Sequence, residues 1–336
     1  MTSTFSLVPI WTVILAVGIF LYVALDGFDL GVGILYNFAS TREHRNLLMN
    51  SIAPIWDGNE TWLVLGSVGL FTAFPVAFTV IMPAVYFPIL MMLLALIFRG
   101  LAFEFRYGDA AHRTFWDYGF AFGSALAAFA QGIVLGAFAQ GFNVEGRQFV
   151  GGSFDCFTPF SFAVGLGLMA GYALLGACWL VIKTEGDLQQ WARRLGRRSL
   201  VGTVIAIGVV SLWTPLLDPH IATRWFTLPN VLYLSPVPIV TAALVFSVRR
   251  SLDHGSDYAP FIAALALFAM CYLGIAISLW PMIVPRHFTL YEAAASPSSQ
   301  AFLLIGTLFL LPTILIYTAW SYWVFRGKVS GDAGYH

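Results

Sequence analysis

The sequence is poor in charge. Of its 336 residues only 10% are Asp, Glu, Lys or Arg, 17 of each sign, and the net charge is zero. Soluble domains carry about 25% charged residues, so too few are present to cover a water-exposed globule of this length. No basic run is long enough to track a phosphate backbone, which excludes nucleic acid as a partner. Cysteine is equally scarce. Cys178 and Cys271 fall in apolar segments and Cys156 in a connecting loop, without metal-ligand or thioredoxin-like spacing, and they read as small buried hydrophobes. No Lys or Arg precedes Arg42. The basic region of a cleaved signal peptide is therefore missing, and the first apolar stretch is expected to be retained as a helix. A phosphate-cradling Gly-Lys-Ser/Thr loop, a dinucleotide glycine fingerprint and a His-Glu metal helix are all absent, so neither a metal site nor catalysis on a soluble substrate is expected.

What is present is oil. Hydrophobic residues make up 59% of the chain, with 30 Phe and 11 Trp, and the mean hydropathy is +0.80. These values predict an all-α integral membrane protein surrounded by the lipid bilayer, with aromatic belts. At about 20 apolar residues per span, nine transmembrane helices are expected over 8–36, 52–74, 78–103, 118–142, 159–182, 200–217, 231–248, 260–284 and 301–324. Pro75 separates the second from the third, and Pro83 and Pro88 should bend the third. The loops are short, so 1–336 reads as a single transmembrane domain. With the N-terminus outside and the C-terminus cytoplasmic, 14 of the 17 Lys and Arg residues fall on the inner side, leaving only Arg147, Arg224 and Arg286 outside.

Against this background the acids stand out. Asp26 and Asp29 lie three residues apart in the inner third of the first span, on one helix face. Asp57 and Glu60 lie roughly 8 to 12 Å into the second span at about 1.5 Å per residue. Ionisable groups at membrane depth normally face a protein interior or a hydrated path. Arg99 and Glu104, with Arg106, return to the same depth on the third span, where Arg99 can neutralise one of the acids. Asp117, Gln131 and Gln140 on the fourth can extend a hydrogen-bonded path. The plainer reading is a structural polar cluster, and for Gly27 and Gly31, spaced as small-xxx-small, close helix packing is the favoured reading. All six histidines, His44, His112, His220, His254, His287 and His336, fall in loops or tails on this topology, so the chain is not expected to bind haem by itself.

Two motifs, Ala24-Leu25-Asp26-Gly27-Phe28-Asp29-Leu30-Gly31-Val32-Gly33 and Asn50-Ser51-Ile52-Ala53-Pro54-Ile55-Trp56-Asp57-Gly58-Asn59-Glu60-Thr61-Trp62, closely resemble subunit II of the cytochrome bd-type quinol oxidases. Leu311-Pro312-Thr313-Ile314-Leu315-Ile316-Tyr317-Thr318-Ala319-Trp320-Ser321-Tyr322-Trp323 is similar to that family's last helix. The resemblance implies two four-helix bundles plus one peripheral helix in the bacterial cytoplasmic (inner) membrane, paired with a haem-bearing subunit I. That partner would hold two haem b and one haem d. The complex would oxidise quinol and reduce dioxygen to water, taking protons from the cytoplasm. By motif, Asp29 and Asp57 would belong to a proton path toward subunit I, with Asp26 and Glu60 adjacent, and Trp56 would lie near a structural quinone. The short connection at 218–230 suggests the compact, cyanide-insensitive-type branch. Small accessory subunits, and the choice between ubiquinol and menaquinol, are left open. A proton-coupled secondary transporter and a purely structural anchor are the competing readings.

Overall fold

A computed structural model describes residues 6–108 and 111–329, so His336 lies outside the described residues. In chain order the helices are α1 (Val8–Tyr36), α2 (Arg42–Asn50), α3 (Trp56–Ala73), α4 (Pro75–Ala84), α5 (Tyr86–Gly108), α6 (Arg113–Gln140), α7 (Pro159–Lys183), α8 (Gly186–Leu217), α9 (Pro219–Phe226), α10 (Asn230–Leu234), α11 (Pro236–His254), α12 (Ala259–Leu279), α13 (Leu290–Ala293) and α14 (Pro297–Val324). Two small antiparallel hairpins complete the described chain: β1 (Val144–Glu145) with β2 (Gln148–Phe149), and β3 (Met282–Val284) with β4 (Phe288–Thr289).

Among the described residues eight helices are long and apolar enough to cross a membrane. The expected second span appears as α3, which starts only at Trp56 because 51–55 form turns. Its first turns bear Asp57, Asn59 and Glu60, which lower its hydropathy below that of the other eight. The expected third span is divided at Val85 into α4 and α5. Pro83 and Pro88, lacking N–H donors, remove ladder hydrogen bonds on either side of that break. The sixth helix starts at Gly186 rather than 200. Residues 186–199 place Leu188 and Ala192 in the core and Arg194 and Arg198 outside, an amphipathic pattern that carries the helix on beyond its apolar part. Span eight stops at Leu279, and 282–284 pair as a strand instead.

The main core gathers α1, α5, α6, α7, α8, α11 and α12 around Phe28, Tyr172, Trp179 and Leu180. A second cluster, built on Trp11, Phe74, Val80 and Ile283, packs α4 and the β3–β4 hairpin against the start of α1. The crossing of α1 and α7 is a backbone contact. A Cβ on Gly31 would lie 1.8 Å from the Tyr172 carbonyl oxygen, one on Gly176 would lie 2.4 Å from the Gly31 carbonyl carbon, and Gly27 faces the Tyr172 ring. Packing is thus what these glycines do, as their spacing suggested.

Near the ends of α8 and α12, Asp218 accepts from the His220 N–H at 2.9 Å and pairs with Arg286 at 3.1 Å. Partial burial works against its carboxylate, but the His220 hydrogen bond and the Arg286 guanidinium outweigh it and hold its pKa below the usual carboxylate value.

Candidate functional site

The crossing of α1 with α3 and α5 assembles a buried polar cluster. Asp26 and Asp29 on α1 and Arg99 on α5 are all 0% exposed. Arg99 Nη1 donates to Asp26 Oδ1 at 2.7 Å and lies 3.4 Å from Glu60 Oε1, while Nη2 is 3.8 Å from Asp29 Oδ2. Asn59 Nδ2 donates to Asp29 Oδ2 at 2.7 Å, and the Tyr322 hydroxyl on α14 donates to Asn59 Oδ1 at 2.9 Å. Asp26 Oδ2, Asp29 Oδ1 and Arg99 Nε find no hydrogen-bond partner among the described residues; buried polar atoms in such positions are where ordered water binds. Three carboxyl groups therefore surround one guanidinium. A single positive charge thus stands against three carboxyl groups in a buried setting.

Two separate hydrogen-bonded groups flank the cluster along α1. One turn back along α1 from Asp26, the Tyr22 hydroxyl accepts from Gln131 Nε2 at 2.6 Å, and Tyr172 donates to Gln131 Oε1 at 2.8 Å. Two turns forward, about 10 Å at 1.5 Å per residue, Asp29 is followed on α1 by Tyr36, as Arg99 is followed on α5 by Arg106. Asp117 accepts there from the Tyr36 hydroxyl at 2.6 Å and from Arg106 Nε at 2.5 Å, with Arg45 Nη1 3.5 Å away. Gln140 stands apart, paired with Thr158.

Two expected members do not join. Asp57 is exposed and makes no ion pair among the described residues. At 100° per residue it points about 200° away from Asn59, the residue of α3 that faces Asp29. Glu60 sits between them, its side chain 25% exposed. Glu104 is also exposed and is no partner of Arg99; five residues turn it about 140° from Arg99 on α5. Trp56 stacks on Phe103, centroids 4.8 Å apart and planes within 6°, with the Arg99 guanidinium carbon 5.8 Å from its ring. Phe103 thus covers one face of the indole, and a quinone ring would have to pack outside this pair.

A family model for cytochrome bd terminal oxidase subunit II matches residues 7–325. The chain belongs to the cytochrome bd terminal oxidase subunit II family. It is 31% identical over 337 residues to the cytochrome bd ubiquinol oxidase subunit 2 of Bacillus subtilis (strain 168), covering 97% of each chain. It is 26% identical over 362 residues to the cytochrome bd-I ubiquinol oxidase subunit 2 of Escherichia coli (strain K12), covering 96% of this chain and 95% of that one. In fold it is similar to the bd oxidase structure from Geobacillus thermodenitrificans, with a TM-score of 0.75 at 18% identity over 96% of this chain and 99% of the other.

Histidine placement tests whether this subunit II fits a haem. His44 lies in α2, His112 at the start of α6, His220 in α9, His254 at the end of α11, and His287 in the turn between β3 and β4, its Nε2 2.9 Å from the Phe142 carbonyl oxygen. Among the described residues no pair of imidazoles faces across a bundle interior, so this donor set does not fit an intramembrane haem. Sequence reasoning missed Tyr22, Tyr36, Arg45, Asn59, Tyr172 and Tyr322. Asn59 lies within the quoted motif, and Tyr22 and Tyr36 follow from Asp26 and Asp29 by helical spacing. Tyr322, 263 residues from Asn59, left no local signal.

Proposed function

We propose that this chain is the non-haem-ligating subunit II of a respiratory quinol:dioxygen oxidoreductase in the bacterial inner membrane, supporting assembly and the proton path to a haem-bearing subunit I. Two haem b and one haem d in that partner would supply the electron transfer and dioxygen chemistry. The observation that supports the reading best is the cluster of Asp26, Asp29 and Glu60 around the buried Arg99. Glu60, one quarter exposed, takes up a proton from the side on which Asp57 is exposed. Asp29 holds the proton next, beside the Arg99–Asp26 ion pair. A topology of nine spans, with α3 completing the ninth, the N-terminus outside and two four-helix bundles plus peripheral α14, would put these acids on the cytoplasmic side by the distribution of arginines. The short α9–α10 connection agrees with a compact branch of the family. A structural quinone would pack outside Trp56 and Phe103.

The test is Asp29→Asn in the purified complex. Oxidase turnover is expected to fall at least tenfold while the reduced-minus-oxidised haem spectrum and the yield of complex stay unchanged. Unchanged turnover would refute a proton-handling role for this cluster.

A further inference from the structure

Arginines crowd one end of the α8–α11 pair. Arg194, Arg197 and Arg198 stand on α8, and Arg249 and Arg250 near the end of α11. Asp253 stands among them: it accepts from Arg197 Nη1 at 2.9 Å and lies 3.1 Å from Arg249 Nε, so it ties the two helix ends together and neutralises one charge. Asp257, four residues on, is taken by Arg193 and Lys328. Asp187 lies about 10 Å from Arg194 along α8 at 1.5 Å per residue. The guanidinium groups of Arg194, Arg198 and Arg250 are left exposed, without a partner among the described residues. Sorting of basic residues to one side of the membrane explains a surplus there, but not why these three stand bare together while Arg45, Arg99 and Arg106 are paired.

Helical spacing decides what lies next to them. On α8, Arg194, Arg198, Val201 and Ile205 follow at steps of four, three and four residues, which makes one stripe, and all four are exposed. The stripe runs opposite the buried Ala192, Gly196 and Thr203. On α11, Arg250, Phe246, Ala243 and Ile239 repeat the same steps, again all exposed, opposite the buried Val248 and Leu252. Little of either helix is covered: 11% of the most apolar stretch of α8 is buried, and 6% of that within 230–254. Each stripe has a cationic head and an apolar body.

We propose that the outward face of the α8–α11 pair binds an anionic phospholipid, its headgroup phosphate against Arg194, Arg198 and Arg250 and its acyl chains along Val201, Ile205, Phe246 and Ile239. A guanidinium fork matches phosphate oxygens two at a time, and clustered arginines at the end of a membrane helix attract anionic headgroups. A zwitterionic headgroup brings its own cation to a surface that is already positive, so the site favours a lipid with net negative charge. None of these residues belongs to the acid cluster, and the lipid site stands or falls apart from the proton-handling reading.

The test uses the purified whole complex in detergent and phosphatidylglycerol with a fluorophore on its acyl chain, read by fluorescence polarisation. It is expected to bind about tenfold or more tightly than phosphatidylcholine carrying the same fluorophore, given about fivefold for each arginine near the headgroup. The combined variant Arg194→Gln, Arg198→Gln, Arg250→Gln is expected to abolish that preference. Haem spectrum and yield of complex should stay unchanged, because these exposed side chains hold nothing else in place. Arg42→Gln, at an exposed position of α2 on the same side by charge counting, is expected to leave binding as it was. An equal loss in Arg42→Gln would mean diffuse attraction to a basic surface and would overturn the site. So would displacement of the lipid by inorganic phosphate at the same concentration, the mark of a free-anion site. Absence of any preference in the parent complex would mean that protein covers this face, and would overturn it too.

Discussion

Arg99 shows how much one side chain decides. Its guanidinium is wholly buried and is the partner of Asp26, Asp29 and Glu60 together. Truncating one member of such a group strands the rest, at a cost of about 3–5 kcal/mol, well above that of a surface pair. Arg99→Leu is therefore expected to reduce the yield of assembled complex sharply, read by quantitative immunoblot of membranes. Arg99→Lys keeps the charge but not the planar fork, and is expected to assemble with lowered turnover. At the other end of the molecule, Asp218 gives a pH signature. Its folded pKa lies below the unfolded value near 3.8, so its stabilisation is fully present above that value and is lost as pH falls through the folded pKa. Asp218→Asn is expected to lower the thermal midpoint of the purified complex at neutral pH, with the difference from the parent closing as the buffer is taken below pH 3.8.

At the scale of elements, the α1–α7 crossing is the tightest constraint. A methyl on Gly31 would meet backbone, not the end of a flexible side chain, so relief requires the two helices to separate. Gly31→Ala is expected to abolish or greatly reduce assembly, whereas Gly208→Ala, on α8 with nothing within 4 Å of the new Cβ, is expected to be neutral or slightly stabilising. The yield of assembled complex, read by quantitative immunoblot of membranes, separates these outcomes. Span positions were legible because about 20 apolar residues in a row have few other uses. The start of α8 was less legible because residues 186–199 follow amphipathic periodicity rather than hydropathy. The Val85 break was foreshadowed by Pro83 and Pro88.

At the scale of the whole molecule, the chain is expected to show no haem absorption bands when expressed alone and to co-purify with a haem-bearing membrane partner when its native complex is isolated. Reduced-minus-oxidised spectra of both preparations check this. The sequence by itself determined the class of the protein and the spacing of its acids along α1 and α3, since composition and helical period act locally. It also pointed to Arg99 as a neutralising partner. Only the tertiary structure decided that Asp26, Asp29 and Glu60 share that single guanidinium, that Asp57 and Glu104 turn away from it, and that Tyr322 reaches Asn59 from the far end of the chain. Membership of a buried cluster depends on how helices rotate about their axes and cross one another. That rotation is set by long-range contacts such as Gly31 against Gly176, which no local stretch of sequence encodes.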